Sequence, residues 1–193
     1  RGFKHDFHNI VQSIGGYADR GDLEGLRVYY RQLLQDCGRT NNLTALNPEV
    51  INNPAIYNVL ANKYHKADEI GVQINLGIFI DLNEIEKHMK IYEFTRILGI
   101  LLDNAIEETE KLDEREIMLS MHEQNNDLVI EISNKFKNVP DLERLEEKGY
   151  STKGKGHGYG LSLVNDIVNN NNQIINEKGI TRNIFTQKLI IKM

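Results

Sequence analysis

Ser151-Thr-Lys-Gly-Lys-Gly-His-Gly-Tyr-Gly-Leu-Ser-Leu-Val164 carries four alternating glycines, at 154, 156, 158 and 160, and runs straight into an apolar helical pattern of Leu161, Val164, Ile167 and Val168. Glycine has no Cβ and reaches positive φ, so a loop of this kind can wrap its backbone closely around a ligand. Where such a loop feeds a helix, it presents unpaired N–H groups and the positive end of the helix dipole, which suits phosphate. Lys153 and Lys155 add positive charge to the same place. A plain surface loop can share this composition, so the glycines count only together with what the rest of the chain sets beside them.

Working outward, the stretch before the loop, Lys135–Tyr150, is charged. Two strand patterns precede it, about Glu116–His122 and Asp127–Asn134, joined by the turn Glu123-Gln-Asn-Asn126. Before them a long amphipathic helix is predicted from about Ile91 to Leu112, with Phe94, Ile97, Leu98, Leu101, Leu102, Ala105 and Ile106 on its apolar side. Val72, Ile74, Leu76, Ile78 and Ile80 alternate as a strand. After the loop helix, Asn169–Asn172 is a stop, and two last strands are expected at Gln173–Glu177 and Asn183–Lys192 around a Lys178-Gly179 turn. A mixed sheet with two long helices on one face is a two-layer α/β sandwich.

The first seventy residues read differently. Phe3, Phe7, Ile10, Val11 and Ile14 recur at helical spacing, and Gly15-Gly16 is expected to weaken or end that helix. Gly21-Asp22 is a turn and N-cap, and Leu23, Leu26, Tyr30, Leu33, Leu34 and Cys37 form a second stripe. A helical hairpin leaves much of its stripe uncovered, so pairing of two copies into a four-helix bundle is expected. Gly38–Asn53 is polar and reads as a hinge; Asn53-Pro54 then caps a helix that stops at Gly71. The fold class expected is α+β, with a helical dimerisation region over 1–70 and an α/β sandwich over 71–193.

Composition bounds the function. The 193 residues are 40% hydrophobic and 26% charged, as in a globular chain, and the net charge of -5 gives no support for a nucleic-acid-binding surface. A lone cysteine, Cys37, excludes an internal disulfide and fits a reducing compartment. No apolar run approaches the roughly 20 residues of a membrane span. The chain opens at Arg1 rather than Met, so a fragment is expected.

Two side-chain constellations carry chemistry. In Leu101-Leu-Asp-Asn-Ala-Ile-Glu-Glu108, Asn104 sits where the helix turns away from its apolar face, and an amide oxygen suits a hard cation such as magnesium. Glu108, at i+4, is within reach to assist the metal or an incoming nucleophile. In Phe3-Lys-His-Asp-Phe-His-Asn9, His5, His8 and Asn9 fall at i, i+3 and i+4, on one helical face. His65, His88, His122 and His157 read as structural or solvated, and no Cys–His spacing suggests zinc.

Together, Leu-Leu-Asp-Asn-Ala and Ser-Thr-Lys-Gly-x-Gly-x-Gly-x-Gly-Leu resemble the N box and second glycine box of the GHKL ATPase/kinase superfamily. The resemblance covers about residues 72–193. It implies ATP bound between the two helices, magnesium on Asn104, and a lid over Lys135–Tyr150. Thr152, Lys153, Gly154, Gly156, Gly158, Gly160 and Leu161 would line the phosphates. Asn134 stands where conventional histidine kinases carry the Asp that reads the adenine amino group. The water-activating members hold a glutamate four residues before the N-box Asn; Ile100 occupies that position here, which removes a general base and argues against a hydrolase.

The run Phe3–Asn9 resembles the phosphoacceptor box His-Asp-x-x-Asn of sensor histidine kinases, in the form typical of the accessory-gene-regulator-type branch that senses peptide pheromones. That resemblance implies a cytoplasmic kinase fragment whose parent carries an N-terminal membrane sensor and works as a homodimer. His5 would take the γ-phosphate of ATP, with Asp6 orienting it or accepting its proton and Asn9 positioning phosphate or water. A response regulator's Asp would receive the group next. The rival readings are a non-catalytic phosphorelay or scaffold protein with a degenerate nucleotide site, and a GHKL ATPase.

Overall fold

A computed structural model describes residues 12–26, 28–29, 46–47, 50–142 and 159–193. The chain divides into two compact units, Arg1–Leu43 and Thr44–Met193. In the first, helix α1 spans residues 12–19 and α2 begins at 23. Contrary to the expectation at Gly15-Gly16, α1 continues through both glycines. Two glycines at roughly 1 kcal/mol each do not break a helix that its neighbours hold. It stops instead at Gly21, whose φ of 66° closes the end while its N–H and that of Asp22 return to the Ala18 and Tyr17 carbonyls. Asp22 then caps α2, its Oδ1 accepting from the Gly25 N–H at 2.9 Å.

Of the expected hinge Gly38–Asn53, residues 38–45 and 48–49 lie outside the described residues; within the rest, Leu46, Ile51 and Asn53 are buried. Asn53 uses both ends of its amide. Its Oδ1 accepts from the Ala55 and Ile56 N–H groups at 3.1 and 3.3 Å, capping α3 (Pro54–Glu69), and its Nδ2 donates to Glu86 at 2.6 Å. Gly71, at φ 70°, ends α3 as its sequence predicts. Strand β1 (Gln73–Ile78) follows, then a 3₁₀ turn at Leu82–Glu84 and the short α4 (Ile85–His88), which the sequence pattern does not announce. The long α5 covers Ile91–Thr109.

Strands β2 (Glu116–Gln124) and β3 (Asp127–Lys135) form a hairpin. Asn125 and Asn126 take φ of 54° and 67°, the two left-handed residues that a tight hairpin turn of the right twist requires. Helix α6 (Tyr159–Asn169) leads to β4 (Ile174–Thr181) and β5 (Ile184–Ile191). The last turn is not at Lys178-Gly179. Strand β4 runs through that pair, and the chain reverses at Arg182-Asn183, with Arg182 at φ 57°. The sheet order is β1-β2-β3-β5-β4, with β1 parallel to β2 and the other pairs antiparallel.

The register sorts the side chains. Ile117, Leu119 and Met121 of β2, Leu128, Ile130 and Ile132 of β3, and Leu189 and Ile191 of β5 lie on one face and are buried. Helices α3, α5 and α6 cover that face through Ile56, Leu60 and Tyr64, Phe94, Leu98 and Leu102, and Val164. At about 1.5–3 kcal/mol for each large side chain fully buried, this layer dominates stability. The opposite face pairs Lys188 with Glu131 at 3.0 Å and Ser133 with Thr186 at 2.9 Å, buries Val129 beside Ile190, and leaves Met118 exposed. One wet face is what an antiparallel sheet tolerates.

Candidate functional site

Helix α5 shows three faces to three neighbours. Leu98, Leu101, Leu102, Ala105 and Ile106 point into the core. Gly99 and Asp103 meet α3: the Lys63 side chain passes 3.7 Å from a Cβ built on Gly99, and Asp103 takes Lys63 at 2.6 Å and Lys66 at 2.8 Å. Burial alone would raise the Asp103 carboxyl, but the hydrogen bonds and charges of the two lysines outweigh it and hold it below the usual carboxylate range. Ile100 meets α6, where a Cβ on Gly160 would stand 3.0 Å from its Cγ2. Gly160 and Leu161, both half-buried, therefore open α6 one turn from Asn104 along α5.

Asn104 is half-buried, and its Nδ2 is sealed from solvent without a hydrogen-bond partner among the described residues. An amide oxygen is the kind of ligand a hard cation takes. Among the described residues no group of three His, Cys, Asp or Glu side chains could hold a metal ion. Glu108 is paired with Lys111 at 2.6 Å. Asn134, 5% exposed, lies at the end of β3 on the helix-facing side, with its Nδ2 donating to the Lys135 carbonyl at 2.8 Å. Since a carbonyl can only accept, that bond fixes the amide and leaves Oδ1 as the outward acceptor.

Gly160 thus meets α5 at Ile100, one turn before Asn104, and Asn134 stands on the helix-facing side of the sheet. His5, Asp6, Asn9, Thr152, Lys153, Gly154, Gly156 and Gly158 lie outside the described residues. The Lys63–Asp103–Lys66 cluster escapes a sequence reading because its members are 37 and 40 residues apart. Gln187 also escapes it, although a polar residue in the buried alternation Gln187, Leu189, Ile191 is a signal. A cavity of about 670 Å³ opens elsewhere, between Glu86–Glu93 and the second half of α6, and neither Asn104 nor Asn134 lines it.

The solved catalytic domain of the histidine kinase ThkA shares this fold, with a TM-score of 0.58 at 17% identity over 72% of this chain and 90% of that one. Full-length ShkA, solved with AMPPNP, gives 0.56 at 15% identity over 71% of this chain and 29% of its own. Among curated proteins, the sensor protein CitS of Bacillus subtilis is 28% identical over 166 residues, 85% of this chain and 30% of that protein. The sensor histidine kinase DcuS of Escherichia coli is 29% identical over 142 residues, 71% of this chain and 26% of its own. The chain spans under a third of the length of either relative. Residues 89–192, more than half of the chain, match the family model of the GHKL domain, and they hold Asn104, Asn134 and the glycine loop: the chain belongs to the GHKL family.

Proposed function

We propose that this chain is the catalytic part of an ATP-dependent sensor histidine kinase. The observation that carries the reading is the seating of Gly160 on Ile100, which sets the start of the glycine-loop helix beside the Asn104 turn of α5. Loop amides and Lys153 would cradle the phosphates, and Asn104 would hold the magnesium ion whose charge offsets that of the transferred group. Asn134 would accept from the adenine amino group. An imidazole nitrogen of neutral His5 forms its bond to the γ-phosphorus as the bond to the β-phosphate oxygen breaks and ADP leaves. Asp6 takes the imidazole proton, and Asn9 orients the phosphoryl group. A receiver-domain aspartate of a response regulator is the onward acceptor.

Division of the chain follows from this: a phosphoacceptor and dimerisation region within 1–70 and a nucleotide-binding domain over 71–193, in a homodimer. Among the described residues no helix is long and apolar enough to cross a membrane. The Phe3–Ile10 run favours the accessory-gene-regulator type of branch, and with it a peptide signal. Ile100, which offers no base for water, speaks against an ATPase, and the fixed Asn134 acceptor speaks against a decayed site.

Incubation with γ-labelled ATP tests the reading. Label should appear on the protein and be acid-labile and base-stable. His5→Gln should abolish it, whereas His8→Ala, which removes a histidine with no adjacent carboxylate, should reduce it far less. Phosphate released to water with no labelled protein would favour the ATPase instead. Label retained in His5→Gln and lost in His8→Ala would move the acceptor.

A further inference from the structure

Glycines flank the Asn104 turn of α5 on both sides. Toward α6 the contact is Gly160 against Ile100. Toward α3, Gly99 faces Val59 and Lys63, and a Cβ there would reach only ordinary contact, 3.9 Å from Val59 Cγ1 and 3.7 Å from Lys63 Cε. A glycine gives a neighbouring helix no ridge to seat in a groove, so Gly99 adds nothing to fixing the slide of α5 along α3. The link between the two helices at this turn is polar and directional instead. Asp103 Oδ2 accepts from Lys63 Nζ at 2.6 Å, and Asp103 Oδ1 accepts from Lys66 Nζ at 2.8 Å. The two lysines stand one turn apart on α3, and each oxygen of the carboxylate has its own. A fork of two charge-assisted bonds sets both the height and the roll of α5 against α3, which one bond would leave open. Part-buried ion pairs add little net stability, and their best-attested use is to fix register.

We propose that the Lys63–Asp103–Lys66 clamp positions Asn104, so that α3 sets the helix that carries the magnesium ligand. The proposal rests on the nucleotide-binding reading above and makes Asp103, Lys63 and Lys66 positioning residues of that site, acting through the backbone of α5. Consecutive residues of a helix diverge by about 100°, so with Asp103 drawn to α3 its neighbour Asn104 is turned away from it, onto the face it shares with Ile100. Asn104 has little of its own to hold it there. Its Nδ2 is sealed from solvent with no hydrogen-bond partner among the described residues, so the placement of the amide falls to the turn of helix beneath it. A displacement of about 1 Å is enough to spoil a site of this kind. The clamp supplies the missing constraint from the flank where Gly99 supplies none.

The test is titration of the full chain with a fluorescent ATP analogue, once with magnesium and once with a chelator, beside thermal unfolding of each variant. Asp103→Asn should weaken magnesium-dependent binding about tenfold, the low end for residues that orient a metal ligand, and leave binding in chelator unchanged. Lys66→Met breaks half of the clamp at its more exposed lysine and should give a smaller loss of the same kind, which keeps the proposal testable if Asp103→Asn fails to fold. Exchanging the charges, Asp103→Lys with Lys63→Asp, should restore the magnesium dependence that Lys63→Asp alone loses. Asn53→Ala loosens α3 at its other end and should lower the unfolding temperature without changing the magnesium dependence. Parent-like binding by a folded Asp103→Asn overturns the proposal and leaves the nucleotide site standing. So does a folded exchanged pair that stays impaired, or an equal loss in Asn53→Ala, which would make stability the cause. Absence of binding by the unaltered protein, with or without magnesium, overturns it together with the nucleotide reading itself.

Discussion

Gly160 rests on Ile100: a Cβ at 160 would stand 3.0 Å from the isoleucine Cγ2, tight enough that the methyl would have to give by a few tenths of an ångström. The isoleucine thus plays two parts. It stands where a water-activating glutamate would be, and it is the surface on which the start of α6 is seated. Gly160→Ala sets two effects against each other, a helix-propensity gain of about 0.5–1 kcal/mol and a tight contact costing about 1 kcal/mol or more. Thermal stability should therefore move little, while the opening turn of α6 shifts from α5 and nucleotide affinity falls. Adding Ile100→Ala removes the opposing methyl and should restore binding. A nucleotide titration of both variants checks this, and undiminished affinity in Gly160→Ala would show that the contact does not set the site.

Asn104→Ala should abolish magnesium-dependent nucleotide binding without loss of fold. Its nitrogen is sealed away without a partner among the described residues, so the alanine removes an unsatisfied buried group and adds a better helix former. Thermal unfolding should show equal or slightly greater stability, about 0–1 kcal/mol. Titration with and without magnesium decides the point: unchanged binding in its presence would take the metal away from Asn104.

Local signals made most of this legible in the sequence. The stripe Phe94–Ile106, the Asn53-Pro54 cap and the Gly71 stop each act over a few residues, and each is found where the pattern puts it, while the turn expected over Glu123–Asn126 tightens to Asn125-Asn126 because β2 runs on to Gln124. Lys178-Gly179 misleads because a glycine permits a turn without requiring one; here the ladder with Gln187 and Thr186 holds it in the strand, and Arg182 takes the left-handed conformation instead. Gly15-Gly16 misleads for the same reason. In the site, Asn104 and Gly160 are readable from their own motifs. The hydrogen bond from Gln187 to Asn176 is not, because it depends on which residue of β4 stands opposite which of β5, and that register follows from a turn the pattern puts in the wrong place.

Asp103→Asn should destabilise the second unit by about 1 kcal/mol near neutral pH, the scale of a partly exposed ion pair. The carboxyl is held below its ordinary value by Lys63 and Lys66 against the opposing effect of burial. A depressed folded value means the contribution is present above the unfolded value, near about 4, and is lost as pH falls through the folded one. The difference between variant and parent should thus hold from pH 6 to 8 and shrink below about pH 4. Lys66 is shifted up mainly by its hydrogen bond to Asp103, so the pair is lost at both ends of the pH range: at low pH when the carboxyl takes a proton, and at high pH above the ordinary lysine range. Urea unfolding at several pH values measures this, and a pH-independent difference would mean that packing rather than charge is lost.

Asn53 separates a cap from a tether. Its oxygen takes the first N–H groups of α3 while its nitrogen reaches Glu86 at 2.6 Å, and the residue is 2% exposed. Asn53→Ala loses both and should cost about 1–2 kcal/mol. Asn53→Asp keeps an oxygen for the cap, and an acidic cap favours the helix dipole. It also replaces the donor with a carboxylate facing that of Glu86, and the two like charges repel. Asn53→Asp should therefore be at least as unstable as Asn53→Ala at pH 8 and should recover toward the parent near pH 5, whereas Asn53→Ala should not. Thermal unfolding at the two pH values distinguishes them. Recovery in both would place the effect away from Glu86, and equal stability of Asn53→Asp and the parent at pH 8 would mean that the cap alone matters.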